Sequence, residues 1–261
     1  MFFALKRRPN AASALRRAII LKCIFAKSLA TPPVEYVQRL KSQWTPEEST
    51  RFTEDAAQMF METINHLKAS GLWRDVEKDE RRFLQAGIDQ MSAQQRIDAA
   101  WLAESIACLL WAIEIIPELP RYDQEVSHEL VNALPATPIK GLMKQAHLRP
   151  KEQIEKQREI AELWHWRART RRLQEEGRPL PLPNGYTIEQ VIELAALKGA
   201  ESGDLPHPLA SDFPAMGKPY RDISLEEFAT MTSIAQERHK ALNWLCGYSP
   251  SGRWADTPTH T

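Results

Sequence analysis

EEFATMTSIAQERHKALNWLCGY, residues 226–248, is the stretch whose reading decides the fold. Phe228, Met231, Ala235, Leu242 and Leu245 recur at three- and four-residue steps and share one helical stripe, which Ala241, Trp244 and Tyr248 widen. Ser224 and Glu227 ahead of it form a capping-box pair, and Gly247 suits the stop. The spacing predicts a central helix against which the others pack. Arg238 falls inside the apolar stripe, where an unpaired guanidinium is very costly. It therefore predicts a structural ion pair, a stem lying along the core, or an anion held in a pocket. His239 and Asn243 sit four apart beside Thr232 and Gln236, on a more polar flank that faces a ligand or another helix. No second His stands at ligand spacing, so no metal site is expected.

The rest of the chain reads as helices punctuated by proline. Thr45-Pro46-Glu47-Glu48 is a helix start, with a Thr cap, Pro at the first helical position and acids in the first turn. That helix runs to about residue 68 and stops at Gly71. Residues 72–91 form a further amphipathic stretch, whose mixed-charge part, 75–82, reads as a solvated face. Ser92 caps a helix over 93–116 that is apolar on most sides, so it is read as buried, with Glu104 as a charge partner for Arg238 or Arg167. The longest helix is predicted from Pro150 to about residue 176, and Thr187 with Gln190 caps another over 188–198. Residues 135–150 read as a connector and a hinge, 178–185 as a proline-marked loop, and 201–223 as an irregular lid or dimer arm. Strand-like alternation is nearly absent. The expectation is an all-α, multi-helix single domain over residues 11–261, with 1–10 disordered.

Lys plus Arg and Asp plus Glu number 34 each, so no global field attracts nucleic acid or a membrane. Residues 1–34 carry no acid, and two readings compete there: a targeting peptide, or the first amphipathic helix of the domain. Lys22 and Lys27 interrupt the apolar run and favour the helix. Cys23, Cys108 and Cys246 are widely spaced in apolar segments and read as reduced core residues of a cytoplasmic protein. Trp164, His165 and Trp166 with Arg167, Arg169, Arg171 and Arg172 form a basic, aromatic-interleaved segment. Consecutive helical residues point in different directions, so core Trp with surface Arg is preferred to nucleic-acid binding.

Three segments carry a family resemblance. They are 237–248 with Arg253-Trp254 and Asp256, then Leu163-Trp164-His165-Trp166-Arg167-Ala168-Arg169, then residues 14–22, ALRRAIILK. Together they resemble the DUF4272 family of bacterial proteins over nearly the whole chain. Ala255 and His260 stand where the family's ending carries Asp, which speaks against an acidic metal site there. The resemblance implies a fold and no reaction.

No phosphate loop, glycine-rich dinucleotide turn, His-Glu-x-x-His, nucleophile elbow or zinc pattern is present. The sequence therefore predicts a protein- or small-ligand-binding module without a cofactor. Its candidate ligand-binding residues are Trp164, Arg167, Arg238, His239, Asn243 and Trp244, which would line one cleft if their helices converge. The alternatives are an enzyme with His239 or His165 as base and Arg238 as anion clamp, and an accessory or immunity-type partner in a bacterial interaction system. A protein partner or a homo-oligomer is expected, and nucleic acid or membrane binding is not.

Overall fold

Each helix begins where local chemistry can satisfy its free N–H groups. The structure, a computed structural model, describes residues 8–134, 139–180, 182 and 185–260. Helix α1 is Ala11–Ala30, α2 Val34–Lys41, α3 Pro46–Ala69, α4 Lys78–Gln85 and α5 Ala93–Ala112. Then come α6 His128–Asn132, α7 Ile139–Gln145, α8 Lys151–Glu175, α9 Ile188–Glu201 and α10 Leu225–Leu245. Capping boxes open α3, α4, α5, α9 and α10, through Thr45, Glu77, Ser92, Thr187 and Ser224. The end of α10 is a Schellman turn: Gly247 adopts φ 80° and Tyr248 N–H donates to Asn243 O at 2.9 Å. The fold is all-α. Among the described residues the only sheet is the hairpin Pro214–Ala215 with Lys218–Pro219.

Four long helices form the centre. Helix α5 packs between α1 and α10, and α8 packs on the other side of α10. Every residue from Ala103 to Ala112 is buried, as an all-round apolar helix requires. The interior therefore belongs to α5 as much as to α10. One continuous core runs through these helices, with a small satellite of Phe52, Ala56, Phe60 and Ile88 under α3. Helix α1 is part of that core, with Ala14, Leu15, Ala18, Ile20 and Leu21 buried against α5. Lys27 is buried too. Its ammonium donates to Leu84 O and Ala86 O at 2.8 and 2.6 Å and lies 4.0 Å from the Phe60 ring centroid. Burial pulls its pKa down to about 8.

Some sequence expectations change. The stretch 72–91 is a 3-10 turn, Trp73–Asp75, followed by the short α4. Its charges are a solvated face only in part: Lys78, Asp79 and Arg82 are exposed, whereas Glu80 accepts from the largely buried Arg17 at 2.6 Å. The connector before α8 contains α7, and its end is fastened: Arg149 donates to Trp111 O, Ile116 O and Pro117 O, taking up carbonyls at the end of α5. Residues 135–138 of the expected hinge, and Pro181, Pro183 and Asn184 of the proline-marked loop, lie outside the described residues, as do residues 1–7. The segment 201–223 is held down by α8. Asp212 takes a bidentate ion pair from Arg167 at 2.7 and 2.6 Å, and Arg171 donates to Tyr220 O and Ile223 O. Arg167 and Arg171, expected at the surface, are buried for this reason.

Candidate functional site

The six residues singled out by sequence do not line a common cleft. Arg238 is wholly buried and fully engaged. Its Nε donates to Glu104 Oε2 at 2.8 Å, Nη1 to Pro120 O at 2.6 Å, and Nη2 to Gln124 O at 3.1 Å. Glu104 completes the clamp by accepting Val126 N–H at 2.7 Å, so the pair holds the loop between α5 and α6. Arg167 is the Asp212 partner. Trp164 stacks on Tyr122, at 5.6 Å and 9°, and meets Phe213 edge-on. Trp244 donates to Gly252 O at 3.2 Å and packs edge-on against Trp254. Of the six, only Trp244 lines any of the five main cavities, including one of about 770 Å³ with Arg16, Arg17 and Arg81. The anion-clamp reading of Arg238 fails because backbone carbonyls and Glu104 take its donors.

His239 and Asn243 face another helix. His239 Nδ1 lies 3.0 Å from His165 Nδ1 on α8, and the Asn243 amide lies 2.9 Å from His239 Nε2 and 2.8 Å from Pro258 O. Pro258 offers only a carbonyl there, so the amide group facing it is the NH2. That NH2 also donates to His239 Nε2, which leaves the His239 proton on Nδ1, donating to His165. Burial pushes both rings below the ordinary histidine range, and His165 feels His239, Arg169 and Arg172 besides. Both are neutral at physiological pH and neither lines a main cavity, so an exposed base of the kind the enzyme alternative needs is not formed by either. Burial likewise pushes the Cys23 and Cys246 thiols up to about 11 and Cys108 up to about 12, leaving them protonated and inert.

The concave site lies beside the His165–His239 pair, on the neighbouring face of α10. A groove of about 750 Å³ runs between α4, α5, α10 and the C-terminal segment 253–255. Ala229, Thr232, Ser233, Gln236, Glu237 and Lys240 face it from α10. Steps of three and four put these small and polar residues on one stripe, beside the apolar stripe that enters the core. Phe83, Trp101, Leu102 and Phe228 give the apolar wall, and Trp254 closes one end. Trp254 is fixed by its own backbone: Glu77 accepts the N–H groups of Trp254 and Ala255 at 2.7 and 2.9 Å. Its ring takes Lys240 Nζ at 5.4 Å and the Arg17 guanidinium at 5.8 Å. Asp256 pairs with Ser251 and Arg253.

Two polar side chains of the groove wall differ in what they offer: Thr232 turns its hydroxyl inward, and Glu237 keeps an oxygen for the groove. Thr232 is 7% exposed, and its hydroxyl, which faces that of Tyr220, has no well-aligned partner among the described residues. Glu237 Oε2 accepts Ser105 Oγ at 2.7 Å, whereas Oε1 has no protein partner among the described residues. No cation lies within ion-pair distance of Glu237 there either, although Lys240 is near enough to favour its ionised form. Burial dominates and raises the carboxyl's pKa. A half-apolar groove with convergent polar groups and a perturbed carboxyl is the form small-molecule sites take. The sequence reading caught Thr232 and Gln236 as a polar flank but passed over Glu237. No group of three or more His, Cys, Asp or Glu among the described residues is placed to hold a metal.

A family model described as "Domain of unknown function (DUF4272)" matches residues 10–195, more than two thirds of the chain. The chain belongs to the DUF4272 family. No curated protein matches it, and no solved structure does. The matched DUF4272 span holds the opening helix and the Trp164-His165-Trp166 segment, and it ends before the C-terminal resemblance segment, 237–256. In this DUF4272 chain the α4 and α5 walls of the groove therefore lie inside the matched span, whereas α10 and the closing segment lie beyond it. No helix among the described residues is long and apolar enough to cross a membrane.

Proposed function

We propose that this chain is a small-ligand-binding module, and that the groove between α4, α5 and α10 is where the ligand sits. The observation that carries the reading is the polar stripe of α10, with the half-free Glu237 carboxylate, facing an aromatic wall across about 750 Å³. We take the module to be soluble and to act in the bacterial cytoplasm. Three cysteines without disulfides support that location.

The test is a ligand-observed NMR fragment screen against the wild type and Ser233→Trp. Ser233 lines the groove, and its hydroxyl bonds only to Ala229 O of its own helix, so an indole there fills the space without breaking a tertiary contact. Fragments that bind the wild type are expected to be lost in S233W. Hits that persist in S233W, or none at all, overturn the assignment. A protein partner, a second copy included, is the second reading. The exposed Tyr186, Leu194 and Leu197 on and beside α9 favour it, and sedimentation of the purified chain tests the second-copy form.

A further inference from the structure

We infer that the ligand of this groove is an organic amine whose ammonium pairs with Glu237 Oε1 and lies against Trp101. The inference rests on the groove being a binding site at all, and it assigns the chemical class. Ser105, a buried α5 residue, fixes Glu237 from below and occupies Oε2. The second oxygen is left toward the groove. A half-buried carboxylate between two helices, with one oxygen held by a hydroxyl and no cation in contact, leaves its other oxygen for a groove ligand. Trp101 stands one helical turn from Ser105 on the same side of α5 and lines the groove. Its ring has no aromatic or cationic partner among the described residues, unlike Trp254, Trp73 and Trp111. A carboxylate and a half-buried indole lining one groove form the pairing that recognises an alkylammonium.

The competing charges point the same way. Lys240 is the nearest cation, and its ammonium rests against the Trp254 ring. Lys78, Arg172 and Arg253 also line the groove, against Glu77, Asp79, Glu80 and Asp98. Glu77 and Glu80 are committed to Arg17 and to backbone N–H groups, and the exposed Asp98 accepts from Gln94. Glu237 is thus the half-buried acid with an oxygen to spare. Burial raises its pKa, and an ammonium in contact opposes that shift.

The experiment titrates the full chain with 2-phenylethylamine, 2-phenylethanol and 3-phenylpropionate, following Trp fluorescence from pH 5.5 to 7.5, and repeats the series with Glu237→Gln. The amine is expected to bind at least tenfold tighter than the other two. Its Kd is expected to fall as pH rises, because the amine pairs with the ionised carboxylate and burial shifts that group toward its protonated form. E237Q, which keeps an acceptor for Ser105, loses both the preference and the pH slope. A purely structural Glu237 would move neither in the wild-type protein. If the alcohol binds as well as the amine, the amine assignment is overturned while the groove remains a site. If the propionate binds best, Lys240 governs and the assignment is likewise overturned. If none of the three binds at millimolar concentration, the amine assignment fails, and the S233W fragment screen decides separately whether the groove binds anything.

Discussion

Replacing Arg238 by Met is expected to cost about 4 kcal/mol of folding stability. The side chain is wholly buried, its stem is of Met's length, and its guanidinium makes hydrogen bonds to Glu104 and to the carbonyls of Pro120 and Gln124. R238M leaves the 1%-exposed Glu104 with a single backbone N–H partner. Removing one member of a buried pair costs about 3–5 kcal/mol, and each carbonyl orphaned in the interior adds about 1–3 kcal/mol unless water reaches it. The figure lies at the low end because the loop between α5 and α6 has exposed residues and can admit water. Against a total stability of about 5–15 kcal/mol this is a large fraction. Urea denaturation followed by circular dichroism and by Trp fluorescence gives the difference, and coincident curves establish that the transition is two-state. The loss also has a pH signature. Burial already raises the Glu104 carboxyl against the pull of Arg238, and without Arg238 it rises further. A group whose folded pKa lies above its unfolded one favours the fold at low pH, so the gap between R238M and wild type narrows from pH 7 to pH 5. A loss below about 1 kcal/mol, or a gap that widens on acidification, refutes the clamp.

Three further outcomes follow from the packing. His165 and His239 take up protons near pH 6.5 when unfolded and near 4 when folded, so stability is full above 6.5 and drains as pH falls toward 4, by about 3 kcal/mol per ring; a melting temperature that stays flat from pH 7 to 5, or a fall no smaller in H165Q, refutes this. Gly199→Ala places a Cβ 2.5 Å from Leu205 Cδ1 and 2.7 Å from its Cγ, so it is expected to destabilise by about 1–3 kcal/mol despite alanine's better helix propensity, and a raised urea midpoint overturns the reading. Asp212→Ala strands the buried Arg167 and frees the 209–223 segment, at a cost of about 3–5 kcal/mol and with new protease cleavage there; unchanged proteolysis shows that the segment is held by something else.

What the sequence disclosed was local. The caps at Thr45, Ser92, Thr187 and Ser224 are legible because donor and acceptor lie within three residues of each other. The core stripe of α10 is legible because burial repeats with the helical period. Glu104 emerged as a partner for Arg238 because a charge in an apolar neighbourhood has few options. The fates of Arg167 and Arg171 were hidden, since their acceptors sit in an irregular segment some 45–52 residues away, with no periodicity to betray them. His239 and Asn243 announced each other at four-residue spacing, but nothing nearby announced His165. Glu237 stood in plain view in the quoted stretch. Its chemistry depends on Ser105 of α5, 132 residues distant, and only the docking of the two helices creates it.

The place of α10 has a consequence for how the chain reaches its native state. Its contacts join residues 74, 132 and 134 positions apart, through His165–His239, Ser105–Glu237 and Glu104–Arg238, and the closing segment reaches back 177 positions to Glu77. Closures of that span are made late, because the loops they shut are entropically expensive. Until α10 docks, α5 and α8 have no common surface to fold upon, and Glu104 and His165 remain without their partners. A fragment ending at residue 195 is therefore expected to be an unfinished interior rather than a folding unit, and the groove to be the last part of the molecule to take shape.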